Sequence, residues 1–340
     1  MRPSVDTLRV ALIGYGTGGA VFHAPLVSAA PDLELAAVVT SNPERQASVR
    51  SRYPGAEILE NPDQVWAGGY DLVVITTPNR EHVPLARTAL EAGIPVVIDK
   101  PVAPTAAEAR SLAGGPLVVP FHNRRWDGDF RTVARLAHDG ALGRVLRFES
   151  RFTRWRPQIK PGWKETADPA AAGGVLYDLG AHLIDQAITL FGPVRRVYAE
   201  IDVRRDHAQA ADDAFVALTH ADGVHSHLWM SAISADLGPR FRVLGDEAAY
   251  TTYGLDPQEE QLRDGLTPAE PGYGMTPPES YGLLGTPGKA RPHRTEPGQY
   301  QDFYPQVAAA IRGEGPPPVS LDDAVAGLEI IETALGGDSR

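Results

Sequence analysis

The chain has no cysteine. That excludes disulfides, thiolate metal sites and a cysteine nucleophile, and it fits a reducing compartment. No apolar run approaches the roughly 18 residues of a membrane span, and the opening residues, MRPSVDT, hold no apolar leader region. A cytoplasmic protein without a membrane partner is the expectation. Basic residues are in the minority: 32 Lys and Arg stand against 43 Asp and Glu, a net charge of −11. Phosphate-backbone binding needs concentrated positive charge, so no nucleic-acid partner is expected. No internal repeat is visible. What is present is apolar residues, 43% of a chain of 340, enough for a sizeable core and for about two domains.

The first third alternates short Val/Ile-rich runs with helix-like segments. LRVALIG (8–14), LELAAVVTS (33–41), YDLVVITTP (70–78), IPVVIDKP (94–101) and PLVVPFH (116–122) read as buried strands, with helices near 19–30, 43–53, 80–92 and 105–113. Continuous apolar strands between helices imply a parallel sheet covered on both faces, an α/β dinucleotide-binding (Rossmann) domain over 1–121. The turn after the first strand, GYGTGG, matches G-x-G-x-x-G directly between a strand and a helix. Gly14 makes the tight turn, Gly16 lets the backbone approach a pyrophosphate, and Gly19 lets helix and strand pack closely. Tyr15, Thr17 and Gly18 complete this cofactor loop, and the helix N-terminus offers N–H groups to the anion.

Ligands of open α/β sheets lie beyond the carboxyl ends of the strands. After the second strand the chain reads VVTSNPER, with no acid at Thr40 or Ser41 to hold a ribose 2′-hydroxyl. Ser41 and Arg45 suit a 2′-phosphate instead, so NADP(H) is expected in preference to NAD(H); the competing reading of Arg45 is an ordinary solvated helix residue. After the next strand, TTPNREH presents Thr76, Thr77, Pro78, Asn79 and His82 as cofactor contacts, although Asn79 also suits a helix cap. The following strand ends VVIDKP. A lysine there is poorly explained by packing, and a half-buried lysine is costly. Lys100 is therefore a catalytic candidate, Asp99 its neighbour in the cofactor site or its ion-pair partner.

From residue 122 the rhythm changes, and 122–340 reads as a second, α+β domain that binds substrate. DFRTVARLAHDGALG is a helix; RVLRFESRFTRW, VRRVYAEIDVRR, DAFVALTH, VHSHLWMSAI, RFRVLGDE and AAYTTYG are strands of a large, mainly antiparallel open sheet. Between the first strand and the rest lies GGVLYDLGAHLIDQ (173–186), a helix in which Asp178, His182 and Asp185 sit among Leu, Ile and Ala. Asp178 and His182 are four apart and share one face. Residues 255–300 show no clear period. The last helix, about 320–336, is core packing and is expected to fold back near the first domain.

At GYGTGG, TTPNREH, DKP and GGVLYDLGAHLID the chain resembles the glucose-fructose oxidoreductase/inositol dehydrogenase (Gfo/Idh/MocA) family, over nearly its whole length. Residues 99–101 look like the family's E-K-P motif with Asp in place of Glu. FHAPL (22–26), FHNRRWDGDF (121–130), RPQIKPGWKE (156–165), YDLGAHLIDQAITLFG (177–192) and YGLDPQEEQL (253–262) resemble the branch of NADP-dependent inositol dehydrogenases. That resemblance implies catalysis by Lys100, Asp178 and His182, no metal, a lid-like segment near 255–300, and a homodimer or homotetramer joined through the sheet.

The chemistry reads the same way from the residues. Oxidising an alcohol needs a hydride acceptor and a base; His182 titrates near neutrality, and Lys100 would stabilise a developing alkoxide. Asp178 orients the substrate or the lysine, and Asp185 is read as structural. A metal on the Asp/His/Asp stripe is the lesser reading, since a lysine is awkward beside a divalent cation. Substrate contacts are sought in HNRRWD and RFTRWRPQIKPGWK: Asn123, Arg154, Trp155, Arg156, Trp163 and Lys164. The expectation is an NADP(H)-dependent dehydrogenase for a cyclic polyol or sugar-like alcohol. The rivals are a reductase of another small carbonyl compound and a catalytically silent dinucleotide-binding sensor.

Overall fold

The computed structural model describes residues 7–159, 165–166 and 168–336. The chain forms two compact units. The first holds Met1–Asn123, Gln258–Tyr273 and Gln299–Val325; the second holds Arg124–Pro257, Gly274–Gly298 and Ala326–Arg340.

In the first unit the apolar runs become strands β1 (Leu8–Ile13), β2 (Leu33–Val39), β3 (Glu57–Leu59), β4 (Leu72–Ile75), β5 (Val96–Asp99) and β6 (Val118–Phe121). They form a six-stranded sheet in the order β3-β2-β1-β4-β5-β6, every pairing parallel. Helices α1 (Ala24–Ala29), α2 (Pro43–Arg52), α3 (His82–Glu91) and α4 (Ala106–Arg110) make the crossovers. Val10 to Ile13, Leu72 to Ile75 and Val96 to Ile98 are almost fully buried, as strands covered on both faces require. The order reverses between β1 and β4, and the crevice beyond such a switch point is where open α/β sheets take ligands.

The second unit is built on an eight-stranded sheet: β7 (Val145–Thr153), β8 (Val194–Asp202), β9 (Asp213–His220), β10 (His225–Ser231), β11 (Phe241–Gly245), β12 (Ala249–Thr252), β13 (Gly282–Gly285) and β14 (Arg291–His293). Its order is β14-β13-β12-β11-β7-β10-β9-β8, antiparallel except between β7 and β10. Alternation fixes the register. Val216, Leu218, Leu228, Met230, Phe148, Phe152, Phe241 and Val243 are buried on one face. Helix α5 (Gly128–His138) precedes β7, and α6 (Ala181–Phe191) packs on β7 and β10.

The stretch from 255 to 300, which shows no period in sequence, is not one loop. It contains helix α7 (Gln258–Arg263) and the last two strands at one side of the sheet, β13 and β14. Each is three to six residues long and set among Gly and Pro, too short to show a period. A single cut near residue 122 also does not describe the units. Helix α7 packs on the turn Gly18–His23, and α8 (Phe303–Ile311) packs on β2, so later sequence returns to the first unit. The last helix, α9 (Leu321–Leu335), begins in the first unit's residues and ends in the second's. Among the described residues no helix is long and apolar enough to cross a membrane.

Candidate active site

The glycine loop sits where β1 ends. Gly14 has φ +98°, a backbone conformation that side chains rarely adopt. A Cβ on Gly19 would collide with the Gly14 carbonyl oxygen. The Thr76 hydroxyl, at the end of β4, donates to that same carbonyl at 2.8 Å. The loop is thus held open and pinned between two strand ends, while nothing lies within 4 Å of where a Gly16 side chain would begin. Backbone bare of side chains before a helix start is what a pyrophosphate needs, so these residues fit the dinucleotide. The turn that follows, Gly18–His23, is a π-helix with exposed Thr17 at its N-cap; Tyr15 is buried. Such turns are rare and concentrate at functional sites.

Beyond β2, Ser41 and Arg45 are exposed. Asn42 caps α2 by accepting the Arg45 N–H at 3.0 Å, and Thr40 is buried. Glu44 stands in the same first turn, the one acid there.

Beyond β4 and β5 the structure separates what the sequence had grouped. Asn79 is buried in a short 3-10 turn, Asn79–Glu81, that starts after Pro78. Thr76 spends its hydroxyl on the glycine loop. His82 is 1% exposed, and both its ring nitrogens lie 2.8 Å from backbone carbonyls, those of Pro101 and Thr77. Its ring therefore has no nitrogen for a cofactor, which corrects the expectation of a side-chain contact there. Burial pushes His82 below its ordinary pKa, against the carbonyls and Asp99, which raise it. Asp99 accepts the Lys100 N–H at 2.8 Å, and Lys100 is half-buried at the strand end, joined to Pro101 by a cis peptide bond.

Sequence reasoning missed His23. It is fully buried, its Nδ1 2.6 Å from the Tyr304 hydroxyl and its Nε2 4.0 Å from Asp99. Its ring also lies 4.1 Å from that of Phe121. Burial lowers its pKa to about 4, although Asp99 pulls it up. FHAPL was the available signal, a histidine beside an apolar helix start.

In the second unit, the stretch GGVLYDLGAHLIDQ does not start as an α-helix. Leu176–Gly180 is a π-helical turn that runs into α6, so Asp178 lies in the turn and His182 in the helix proper. The glycine start serves another backbone: Gly174 has φ +85°, a Cβ there would lie 2.9 Å from the Ala211 oxygen, and Val175 donates to that oxygen at 2.8 Å. Asp178 is 3.4 Å from Arg154, whose guanidinium lies over the Phe152 ring at 4.9 Å. Arg124 covers the same ring at 4.7 Å, and the ring of His182 is 6.5 Å away. His182 itself is 5% exposed.

The other buried polar groups of α6, Asp185 and Gln186, are engaged within the fold. Asp185 takes a two-pronged ion pair from Arg125, at 2.9 and 2.7 Å, which removes it from any three-residue set with Asp178 and His182. Gln186 donates to the Arg124 carbonyl and accepts from Arg240, both at 2.9 Å. Of the expected substrate contacts, Arg154 is drawn to Asp178. Trp155 is 57% exposed and Arg156 is exposed, while Asn123 is buried. Trp163 and Lys164 lie outside the described residues.

Comparison with known proteins agrees with this layout. Residues 8–114 match the model of an oxidoreductase family with an NAD-binding Rossmann fold, and residues 130–251 match the GFO/IDH/MocA C-terminal domain. The oxidoreductase YdgJ of Escherichia coli, itself uncharacterized, is 38% identical across 97% of this chain and 96% of its own. The chain belongs to the GFO/IDH/MocA oxidoreductase family. The scyllo-inositol 2-dehydrogenase (NADP(+)) IolW of Bacillus subtilis is 33% identical over 98% of this chain and 94% of its own. The solved structure of the oxidoreductase yvaA from Bacillus subtilis superposes with a TM-score of 0.92 at 32% identity, covering 99% of this chain and 97% of that one.

The buried His23 generates a pH dependence. Its folded-state pKa, about 4, lies below the ordinary 6.5, so between those values the unfolded chain binds the extra proton. Its contribution is complete above pH 6.5 and is lost as pH falls toward 4, by about 3 kcal/mol at 1.36 per unit. Urea unfolding at pH 7 and pH 4 should show this loss shrink in His23→Gln. An equal loss in both proteins would refute the assignment.

Proposed function

We propose that this oxidoreductase is NADP(H)-dependent and moves a hydride between the nicotinamide and a secondary alcohol or ketone of a cyclic polyol or sugar-like substrate. The observation that carries the reading is the cluster that the turn Leu176–Gly180 and α6 build beside Phe152: Asp178 pairs with Arg154 at 3.4 Å, Arg154 and Arg124 flank the Phe152 ring, and the His182 ring lies 6.5 Å from it. The activity of IolW, a scyllo-inositol 2-dehydrogenase (NADP(+)), supports both the polyol and the NADP.

The nicotinamide supplies the hydride acceptor. In the oxidative direction His182 takes the hydroxyl proton as general base. Lys100 donates a hydrogen bond to the substrate oxygen, and its charge stabilises the alkoxide as it forms. Asp178, held by Arg154, accepts from the substrate or the lysine and orients it. Gly14, Tyr15, Gly16, Thr17, Gly18 and Gly19 cradle the pyrophosphate, with Thr77, Pro78 and Asn79 beside the nucleotide. Ser41 and Arg45 hold the 2′-phosphate, where an acid would repel it.

The open face of the second unit's sheet supports self-association. Tyr198, Phe215 and Trp229 form a ring ladder there, at 6.4 and 5.1 Å, and Arg151 stacks on Trp229 at 3.9 Å. We read this face as the contact of a homodimer or homotetramer, and we place the protein in the cytoplasm, which a cysteine-free chain suits.

Three measurements test these readings. With inositols, sugars and sugar acids as the panel, Lys100→Ala and His182→Ala should lower kcat by about 10²–10⁴-fold while NADPH still binds. Near-wild-type turnover in both overturns the roles, and a blank panel with tight NADPH binding favours the sensor. Ser41→Asp combined with Arg45→Glu should cut the NADP-over-NAD ratio of kcat/KM by about 10–100-fold, the worth of a charged hydrogen bond; comparable wild-type values for both cofactors would sink the preference. Trp229→Asp should yield monomers by light scattering, and an unchanged mass would remove the sheet from the interface.

A further inference from the structure

His82 is the best-held polar side chain of the first unit that hydride transfer leaves without a task. It opens α3, is 1% exposed, and faces two carbonyl oxygens with its two ring nitrogens at 2.8 Å each. Those distances are ordinary for N–H···O bonds. The carbonyls belong to different strand ends. Thr77 follows β4, and Pro101 follows Lys100 after β5. A carbonyl only accepts, so a ring nitrogen bonded to it must carry hydrogen. One proton on the ring makes one of these bonds, and a second proton makes both. Desolvation outweighs Asp99, Glu81 and the carbonyls and holds the pKa below its ordinary value, so near neutral pH the ring carries one proton, donates to one carbonyl and rests its other nitrogen against the second.

We propose that His82 is a positioning residue that ties the Lys100-bearing end of β5 to the end of β4, so that the lysine is held at a fixed place relative to the dinucleotide loop. The path runs through the chain, through hydrogen bonds and through the ring of His82, which lies against both carbonyls. The Gly14 carbonyl is held by Thr76, Thr77 is the next residue, His82 spans from Thr77 to Pro101, and Pro101 adjoins Lys100. Asp99 closes the other side by accepting the Lys100 N–H. The inference rests on the role given to Lys100 above. It adds a residue that touches neither cofactor nor substrate yet sets where the lysine stands.

The test compares His82→Leu, which keeps bulk and removes both ring nitrogens, with His82→Gln, whose amide carries N–H donors and does not titrate. In the full-length enzyme, His82→Leu should lose about 100-fold in kcat, the cost of misplacing a reacting group by about an ångström, with the dissociation constant for NADPH little changed. His82→Gln should recover a large part of that loss. Hydrogen–deuterium exchange over residues 99–103, with and without NADPH, should speed up in the Leu variant and less in the Gln variant. Exchange needs no substrate, so a wrong substrate assignment blanks turnover but leaves this arm readable. Wild-type exchange in a folded Leu variant overturns the tie, and faster exchange with unchanged kcat overturns the positioning role. Should the Leu variant not fold, ¹⁵N-histidine spectra of the wild type decide: a solvent-protected ring N–H at His82 supports the tie, and its absence overturns it.

Discussion

Everything in the first unit is arranged around one close approach, that of Gly19 to the carbonyl of Gly14. No residue with a Cβ fits there, so the backbone after β1 can turn at once and start a helix against its own strand. The Thr76 hydroxyl, donating to the same carbonyl, ties this turn to the next strand of the sheet across the point where strand order reverses. Once that corner is fixed, the ends of β4 and β5 have fixed neighbours, and so has the lysine that β5 delivers. A hydrogen bond of ordinary strength, about 1 kcal/mol net, is small beside the burial of the sheet. Its importance is geometric: it decides where a rigid corner sits rather than whether the sheet forms.

The second unit meets a different constraint: a π-helical turn and the helix after it are apolar in composition, yet carry a half-buried acid followed by a buried histidine, acid and amide. Burying such groups without partners would cost several kcal/mol each. The fold answers with arginines. Arg125 takes Asp185, Arg240 takes Gln186 and the Ser150 hydroxyl, and Arg154 approaches Asp178. Phe152, flanked by Arg124 and Arg154, gives the guanidiniums an aromatic surface, a contact that strengthens as water is excluded. Arginine suits this better than lysine because its planar fork makes several directed bonds and sheds water more readily.

Much of this was legible in the sequence. The parallel sheet followed from uninterrupted Val/Ile runs, the corner from GYGTGG, and the antiparallel sheet from alternation that shows as buried and half-buried residues along DAFVALTH. What was not legible depends on distant pairings. Arg125 and Asp185 are sixty positions apart, and His23 and Tyr304 are 281 apart, so no local pattern announces either. His82 reads as a ligand contact because its neighbours at a strand end do; only the two carbonyls around it show that it is spent on the protein. The π-helical turns at Gly18–His23 and Leu176–Gly180 differ from α-helix in hydrogen-bond spacing rather than composition, so their sequence reads simply as helix. Strands β13 and β14 were hidden for the opposite reason: with Pro292 and two glycines in seven residues, they pair because β12 offers an edge to β13, and β13 in turn to β14.

The same corner holds the acid of DKP. One oxygen of Asp99 accepts the Lys100 N–H, and the other lies so close to Gly18 that a Cβ on that glycine would be 2.6 Å from it. The carboxylate is thus already in contact with the start of the π-helical turn, on the side where His23 stands behind it. A glutamate would carry its carboxylate one methylene further and could not keep both contacts from the same backbone position. Asp99 and Gly18 form a matched pair, a short acid against a residue without a side chain.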